Sequence, residues 1–253
     1  MNKMKTLFAL ALVCFFVNNV NAQVKKPVAK KTTTNKIVVK KPAVKKTAVP
    51  VTNAPKQIRV PGTRVKVTTD SGVMVIRLYD KTPLHRANFI KLATEHFFDS
   101  LLFHRVISEF MIQGGDPQSK YAQADQMLGN GDVGYTIPAE FDSNFIHKKG
   151  ALAAARNNNP AKASSGCQFY IVQGKKYTDA DLTNIEMQRG VKYTTAQRNI
   201  YKTLGGVPFL DMGYTVFGEV ESGLEVIDKI ASVQKGMADR PVGNVHMYIE
   251  VIK

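Results

Sequence analysis

The chain has 253 residues, with 35 lysines and arginines against 20 aspartates and glutamates, so its formal net charge is +15. The excess is confined to residues 1–69, which hold 15 basic residues and no acidic one, whereas residues 70–253 hold 20 of each sign. A nucleic-acid-binding domain needs a basic face of its own, and this even balance argues against that class. Cys14 and Cys167 are too few for a disulfide framework or a zinc cluster.

Residues 1–22 are typical of a secretory signal peptide. A basic start precedes an uncharged, mostly apolar run over residues 6–17, and small residues follow, with Ala22 just before the expected cleavage site. A run of 12 residues is too short to cross a bilayer. We therefore predict cleavage between Ala22 and Gln23 and an exported protein, periplasmic or extracellular.

Residues 23–60 form a basic segment rich in Lys, Pro and Thr, in which paired lysines recur four times. The segment has no amphipathic period and cannot bury a core, which predicts a disordered linker. Its composition fits a solvated spacer, and it also fits weak contact with an anionic surface such as lipid headgroups or polysaccharide.

The folded domain is predicted over residues 61–253 and opens with a β-hairpin. Alternating apolar and polar residues over 64–70 and 72–79 flank a tight turn. Thr82 before Pro83 predicts a helix start with Thr82 as its cap.

Beyond this helix, short strand patterns with glycine-rich turns continue to residue 172. A strand at 215–220, a helix at about 222–232 and a last strand at 245–252 complete the domain. Many short strands with only two helical stretches indicate a mainly β, closed antiparallel barrel rather than a βαβ fold.

The segment 175–207 interrupts this rhythm and predicts a helical hairpin inserted between two strands. It carries two capping boxes, Thr178 with Asp181 and Thr194 with Gln197. A glycine follows each predicted helix, at positions 190 and 205. The hairpin is either a packed surface appendage or a lip that controls access of substrate.

Three blocks of sequence, at 103–117, 165–171 and 209–218, read FHRVISEFMIQGGDP, SGCQFYI and FLDMGYTVFG. In order and spacing they resemble the signature of the cyclophilin-type peptidyl-prolyl cis-trans isomerases, and the resemblance covers about residues 64–253 apart from the insertion. It implies an eight-stranded barrel capped by two helices, a monomer, no cofactor and proline-containing polypeptide substrates.

The chemistry of that reaction sets its own demands. An X-Pro bond rotates slowly because amide resonance imposes a barrier of about 20 kcal/mol. In the twisted transition state resonance is lost, and the proline nitrogen becomes pyramidal and basic. The catalyst needs a fixed donor, a dry pocket for the proline ring and an anchor for the flanking backbone, but no nucleophile or metal.

Arg105 is the predicted catalytic residue, because its planar guanidinium is always charged and can reach both the proline nitrogen and the carbonyl. One charge-assisted hydrogen bond contributes about 1.5–3 kcal/mol, or about 10- to 150-fold in rate. The predicted substrate-binding residues are Phe110, Met111, Gln113, Ala155, Arg156, Gln168, Tyr170, Phe209, Leu210 and Tyr214.

These residues have different expected roles. Phe110, Met111, Tyr170 and Leu210 would form the apolar proline pocket, and Gln113 would hold a substrate carbonyl. The pair 155–156 would offer backbone donors and acceptors.

Some expectations at these positions remain open. Gln168 would either bind substrate or satisfy buried backbone groups. Tyr170 replaces a phenylalanine of the family pattern, and its hydroxyl could narrow or polarise the pocket floor.

Rival readings come from other classes. A thiol hydrolase would use Cys167 as nucleophile and His104 as base, but the sequence supplies no orienting partner. The five histidines show no metal-ligand spacing, so no metal site is predicted. A non-catalytic module that binds proline-rich segments is the more serious rival. The retention of Arg105, Phe110, Met111 and Gln113 together argues against it.

Overall fold

The computed structural model describes residues 62–124 and 126–252. The predicted signal peptide, 1–22, and the predicted linker, 23–60, lie outside the described residues. Within the described part of the chain, no helix is long and apolar enough to cross a membrane.

The described residues form eleven β-strands and four α-helices. The strands are β1 Arg64–Thr69, β2 Gly72–Leu78, β3 Leu101–Leu102, β4 Arg105–Ile107, β5 Met111–Gly114, β6 Thr136–Ile137, β7 Ala151–Ala154, β8 Ser164–Ser165, β9 Phe169–Val172, β10 Val216–Ser222 and β11 His246–Ile252. The helices are α1 Pro83–Thr94, α2 Asp179–Arg189, α3 Thr195–Thr203 and α4 Leu224–Ala231. The fold is therefore mainly β, as predicted.

Nine of these strands form one antiparallel sheet in the order β3-β11-β1-β2-β10-β7-β9-β5-β4, and β6 pairs with β8. The end strands β3 and β4 do not pair with each other, so the predicted closed eight-stranded barrel is not confirmed. Leu102 and Arg105 are three residues apart, so at most about 11 Å of chain separates the two edges. The sheet is thus strongly curved but open, because β3 pairs only with β11 and β4 only with β5.

The start of α1 differs from its prediction in one respect. Thr82 occupies the cap position but makes no side-chain capping bond, and its hydroxyl donates to the Tyr79 carbonyl instead. The first backbone N–H groups of the helix, at Leu84 and His85, donate to the Glu140 carboxylate at 3.0 and 2.9 Å. A carboxylate at a helix N-terminus is also favoured by the helix dipole.

The predicted helical hairpin is present as α2 and α3. Both capping boxes form, and Gly190 ends α2 with a left-handed φ of 67°. Leu182 of α2 and Tyr201 of α3 are fully buried in one small cluster with Ile146. The insertion therefore packs onto the domain through its own hydrophobic contact.

Alternation along the central strands separates the core from a second apolar face. In β9, Phe169 and Ile171 belong to the main core under the helices, whereas Tyr170 and Val172 belong to a smaller cluster on the other face. The same alternation divides β5 and β7, because successive side chains of a strand point to opposite faces. The second face is the one that carries the predicted site residues.

We predict that Thr194→Ala lowers the free energy of unfolding by about 1 kcal/mol, since the cap of α3 is lost. Thr203→Ala is the matched control, because Thr203 is also exposed and lies at the end of the same helix, where its hydroxyl donates to Asn199. Urea titration of both variants measures the difference. Equal midpoints would show that the capping box does not stabilise the insertion.

Candidate active site

Three of the predicted site residues belong to a row of paired residues that crosses four strands. Arg105 pairs with Gln113, Gln113 with Tyr170, and Tyr170 with Ala153. Directly opposed residues of neighbouring strands share a face of the sheet, and Met111 lies two residues from Gln113 on that same face. The register of the sheet therefore places donor, amide and aromatic ring side by side.

A cavity of about 180 Å³ lies over this row. The turn before β5, where Glu109 has a φ of 61°, brings Phe110 to the cavity although Met111 next to it is already in the strand. The cavity is lined by Arg105, Phe110, Met111, Gln113, Ala155, Arg156, Tyr170, Leu210 and Tyr214. Nine of the eleven predicted site residues are thus brought together.

Gln168 lies beside this cavity and holds the Gln113 side chain, which lines it. Its amide nitrogen donates to the carbonyls of Gly129 and Gly131 at 3.0 and 2.8 Å. Its amide oxygen accepts from the Gln113 side chain at 3.0 Å. Gln168 therefore satisfies buried backbone groups, which is one of the two alternatives left open by the sequence, and it also orients Gln113. Direct binding of substrate by Gln168 stays a prediction.

Phe209 and Tyr214 form the rim of the cavity. The Phe209 ring is 41% exposed and stacks on Phe110 with 5.9 Å between ring centroids. The Tyr214 ring contacts the edge of Tyr170, and the Arg156 guanidinium lies 4.6 Å from its centroid. Phe209 extends the apolar wall outward without lining the cavity itself.

The expectation that residues 155–156 offer backbone donors does not hold for the Ala155 N–H, and it stays a prediction for Arg156. The Ala155 N–H donates to the Gln168 carbonyl at 3.0 Å, and the Ala155 carbonyl accepts from the Ser165 N–H at 2.8 Å. Only the second lone pair of that carbonyl remains for a ligand. The Arg156 side chain is likewise engaged, because its Nε donates to the Gly213 carbonyl.

Arg105 stands at the mouth of the cavity, with its side chain 43% exposed. Its Nε lies 3.4 Å from the Asp239 carboxylate, a contact across 134 residues that sequence reasoning missed. Asp239 has a φ of 60° and follows Ala238 at 56°, so two left-handed residues present this carboxylate. No local sequence signal pairs Asp239 with Arg105.

The Tyr170 hydroxyl has a specific partner. It lies 3.0 Å from His147 Nε2, and burial raises the pKa of Tyr170 well above its usual value. The hydroxyl is therefore neutral and hydrogen-bonded to His147. Sequence reasoning considered His147 only as a metal ligand and missed this contact.

Cys167 and His104 do not form an activated nucleophile and base. Burial raises the pKa of the Cys167 thiol to about 11, whereas a catalytic cysteine needs a lowered pKa. Burial also lowers the pKa of His104 to about 4, so the ring is neutral at pH 7 and a weak base. This electrostatic setting argues against the thiol hydrolase. In the described residues, no group of three or more His, Cys, Asp and Glu side chains has a metal-site arrangement.

Comparisons with known proteins give the family and the fold of this chain. The family model described as "Cyclophilin type peptidyl-prolyl cis-trans isomerase/CLD" matches residues 64–251. A Staphylococcus haemolyticus protein named as a peptidyl-prolyl cis-trans isomerase is 34% identical over 199 residues, which cover 77% of this chain and 95% of that protein. A Streptococcus pyogenes protein named as a bifunctional phosphatase/peptidyl-prolyl cis-trans isomerase is 37% identical over 187 residues, covering 73% of this chain and only 37% of that protein.

Among solved structures, a cyclophilin-type isomerase of Cryptosporidium parvum has a similar fold, with a TM-score of 0.58 at 19% identity. The match covers 76% of this chain and 99% of that one. The same parasite protein was also solved in the presence of the dipeptide Ala-Pro, with a TM-score of 0.56.

The solved structures show that the fold is cyclophilin-like, and the family model together with the curated relatives defines the family. The chain belongs to the cyclophilin-type peptidyl-prolyl cis-trans isomerases. The predicted family and the predicted isomerase function are therefore confirmed.

We predict that Cys167 resists alkylation in the native protein. At pH 8 a thiol with a pKa of about 11 is ionised to only about 0.1%, against about a quarter for an unperturbed cysteine. Iodoacetamide labelling, read by mass mapping of the Cys167 peptide, should be slow in the native chain and fast in denaturant. Rapid native labelling with loss of isomerisation would restore the thiol mechanism.

Proposed function

We propose that Arg105 stabilises the twisted X-Pro amide while the proline ring occupies the neighbouring cavity. The observation that supports this most directly is the cross-strand row. It holds a partly exposed cation next to a cavity whose walls include Phe110, Met111 and Leu210. A proline ring there would pack against these apolar side chains, while the guanidinium faces the amide from the cavity mouth.

The planar ground-state amide has its nitrogen lone pair delocalised, so that nitrogen is a poor acceptor. In the twisted state the lone pair becomes localised, and an N–H group of Arg105 donates to it. This interaction strengthens only in the transition state and therefore lowers the barrier rather than only tightening binding. No covalent bond forms, and the guanidinium stays protonated throughout.

Gln113 supplies the anchor for the substrate backbone. Its amide nitrogen already donates to Gln168, so the side chain is held in one orientation before substrate arrives. One further N–H group and the amide oxygen remain for the backbone next to proline. A preorganised anchor reduces the entropy lost on binding.

We infer that the substrates are exported polypeptides that contain proline. The predicted signal peptide, 1–22, supports export, and the linker, 23–60, would act as a spacer or contact an anionic surface weakly. The solved relative studied with Ala-Pro supports recognition of short proline-containing peptides. A monomer that assists folding of exported chains fits these features, and binding of proline-rich segments without catalysis is the alternative.

We predict that Arg105→Ala lowers kcat/KM by about 10- to 150-fold, the value of one charge-assisted hydrogen bond. NMR exchange spectroscopy of a short Ala-Pro-Phe peptide measures this with the full chain. Arg64→Ala is the matched control, because its side chain is also 43% exposed but pairs with Glu221 outside the cavity. Arg105→Lys keeps the charge without the planar fork and should recover only part of the rate.

Two results would contradict this mechanism. A full rate in Arg105→Ala would remove Arg105 from catalysis. Peptide resonances that shift with the wild type, without faster exchange, would mean that the protein binds proline segments and does not isomerise them.

We predict that the exported protein begins at Gln23. Mass spectrometry of the protein secreted or released from the periplasm of a bacterial host should show a chain that lacks residues 1–22. Ala22→Phe should block processing, since the cleavage site needs a small residue there, whereas Asn21→Gln should be processed normally. An intact Met1 terminus on the wild type would contradict the signal peptide.

A further inference from the structure

The insertion contacts one wall of the cavity directly. Three of its side chains donate hydrogen bonds to the segment 208–211: Arg189 to the Phe209 carbonyl at 2.6 Å, Tyr193 to the Pro208 carbonyl at 2.9 Å and Tyr201 to the Asp211 carboxylate at 2.6 Å. This segment carries Leu210, which lines the cavity. A surface appendage that only packs on the domain would not need three polar contacts to one wall of the site.

Asp211 connects this wall to the cavity floor. Its Oδ2 accepts from Tyr201, while its Oδ1 accepts from the backbone N–H of His147 at 2.8 Å and lies 2.7 Å from His147 Nδ1. The Asp211 side chain is only 5% exposed, and a buried carboxylate needs such donors. Its position is therefore fixed from both sides.

His147 carries the connection to Tyr170. The ring is fully buried. The tautomer that places its proton on Nδ1, directed at the carboxylate, leaves the Nε2 lone pair as an acceptor. The Tyr170 hydroxyl lies 3.0 Å from that nitrogen, and the Tyr170 ring lines the cavity. Four buried side chains thus form an unbroken hydrogen-bonded series from the insertion to the site.

We propose that the insertion is a positioning element of the active site, in which Tyr201 acts through Asp211 and His147 to fix Tyr170. This inference rests on the proposed isomerase site. Tyr201 is a positioning residue, since it does not line the cavity. The series directs the Tyr170 hydroxyl to His147 and holds the ring as a fixed apolar surface for proline.

The test compares two hydroxyl deletions in the same cluster of the full chain. Tyr201→Phe removes the hydrogen bond to Asp211. Tyr177→Phe is the matched control, because the Tyr177 ring also packs against Tyr201 but does not donate to Asp211. We expect kcat on the Ala-Pro-Phe peptide to fall roughly 2- to 30-fold in Tyr201→Phe, the range of coupling through such networks, with KM unchanged. Tyr177→Phe should match the wild type.

A double-mutant cycle separates positioning from a general loss of stability. If Tyr201 acts through Tyr170, then Tyr201→Phe should lower kcat much less in a Tyr170→Phe background than in the wild type. All rates are divided by the folded fraction, which thermal unfolding of each variant supplies. A purely structural role predicts the same loss in both backgrounds, and that result would overturn the proposal.

The ¹⁵N resonances of the His147 ring can be measured by NMR in the wild-type protein, so this test does not depend on a variant that folds. The proposal requires the Nδ1–H tautomer in the wild type, and the Nε2 resonance should shift when the peptide binds. An Nε2–H tautomer, or equal kcat in Tyr201→Phe and Tyr177→Phe, would overturn it. Lack of acceleration by the wild type itself would instead contradict the proposed function, so the two failures are distinguishable.

Discussion

Alternation of side chains along β5, β7 and β9 is the constraint on which the site depends. It sends Phe169 and Ile171 into the core and Tyr170 to the opposite face, where the register aligns Tyr170 with Gln113 and Arg105. A slip of one residue would exchange these faces. Core packing on one side therefore fixes the geometry of the site on the other, although the two share no side chain.

An apolar face of this kind must be covered over much of its area and open at one place. The segment 208–211 and the insertion behind it provide the cover, and Arg105 marks the opening. Asp211 is central because a buried carboxylate is stable only with several donors. Burying Asp211 is costly unless all three donors keep their positions around its carboxylate. Because these donors come from Tyr201 and His147, the insertion and the residues under the cavity are held in one arrangement.

Much of this structure could be predicted from the sequence because its determinants are local. The hairpin follows from alternation, and the two helices of the insertion follow from capping boxes that span four residues each. The cap of α1 could not be predicted in the same way, since Glu140 lies 56 residues from Leu84. Likewise, the division of one edge into β3 and β4 depends on pairing with β11 and β5 rather than on a local pattern.

In the site, too, local sequence patterns predict some residues, and contacts between distant residues decide the others. Motif blocks identified seven of the nine residues that line the cavity, all but Ala155 and Arg156, because those residues meet the demands of proline binding directly. The groups that hold them, His147, Asp239 and Tyr201, belong to no local pattern. His147 contacts Tyr170 across 23 residues and Asp239 contacts Arg105 across 134, whereas Tyr201 contacts Asp211 only 10 residues away and acts on Tyr170 through the series. Tyr170 illustrates the difference. From the sequence, its hydroxyl is expected to make the proline pocket more polar. In the fold, the hydroxyl is hydrogen-bonded to His147 at the end of the series, and the aromatic ring lines the cavity. The replacement of a family phenylalanine by Tyr170 is thus understood only once His147, the hydrogen-bond partner of its hydroxyl, has been located in the fold.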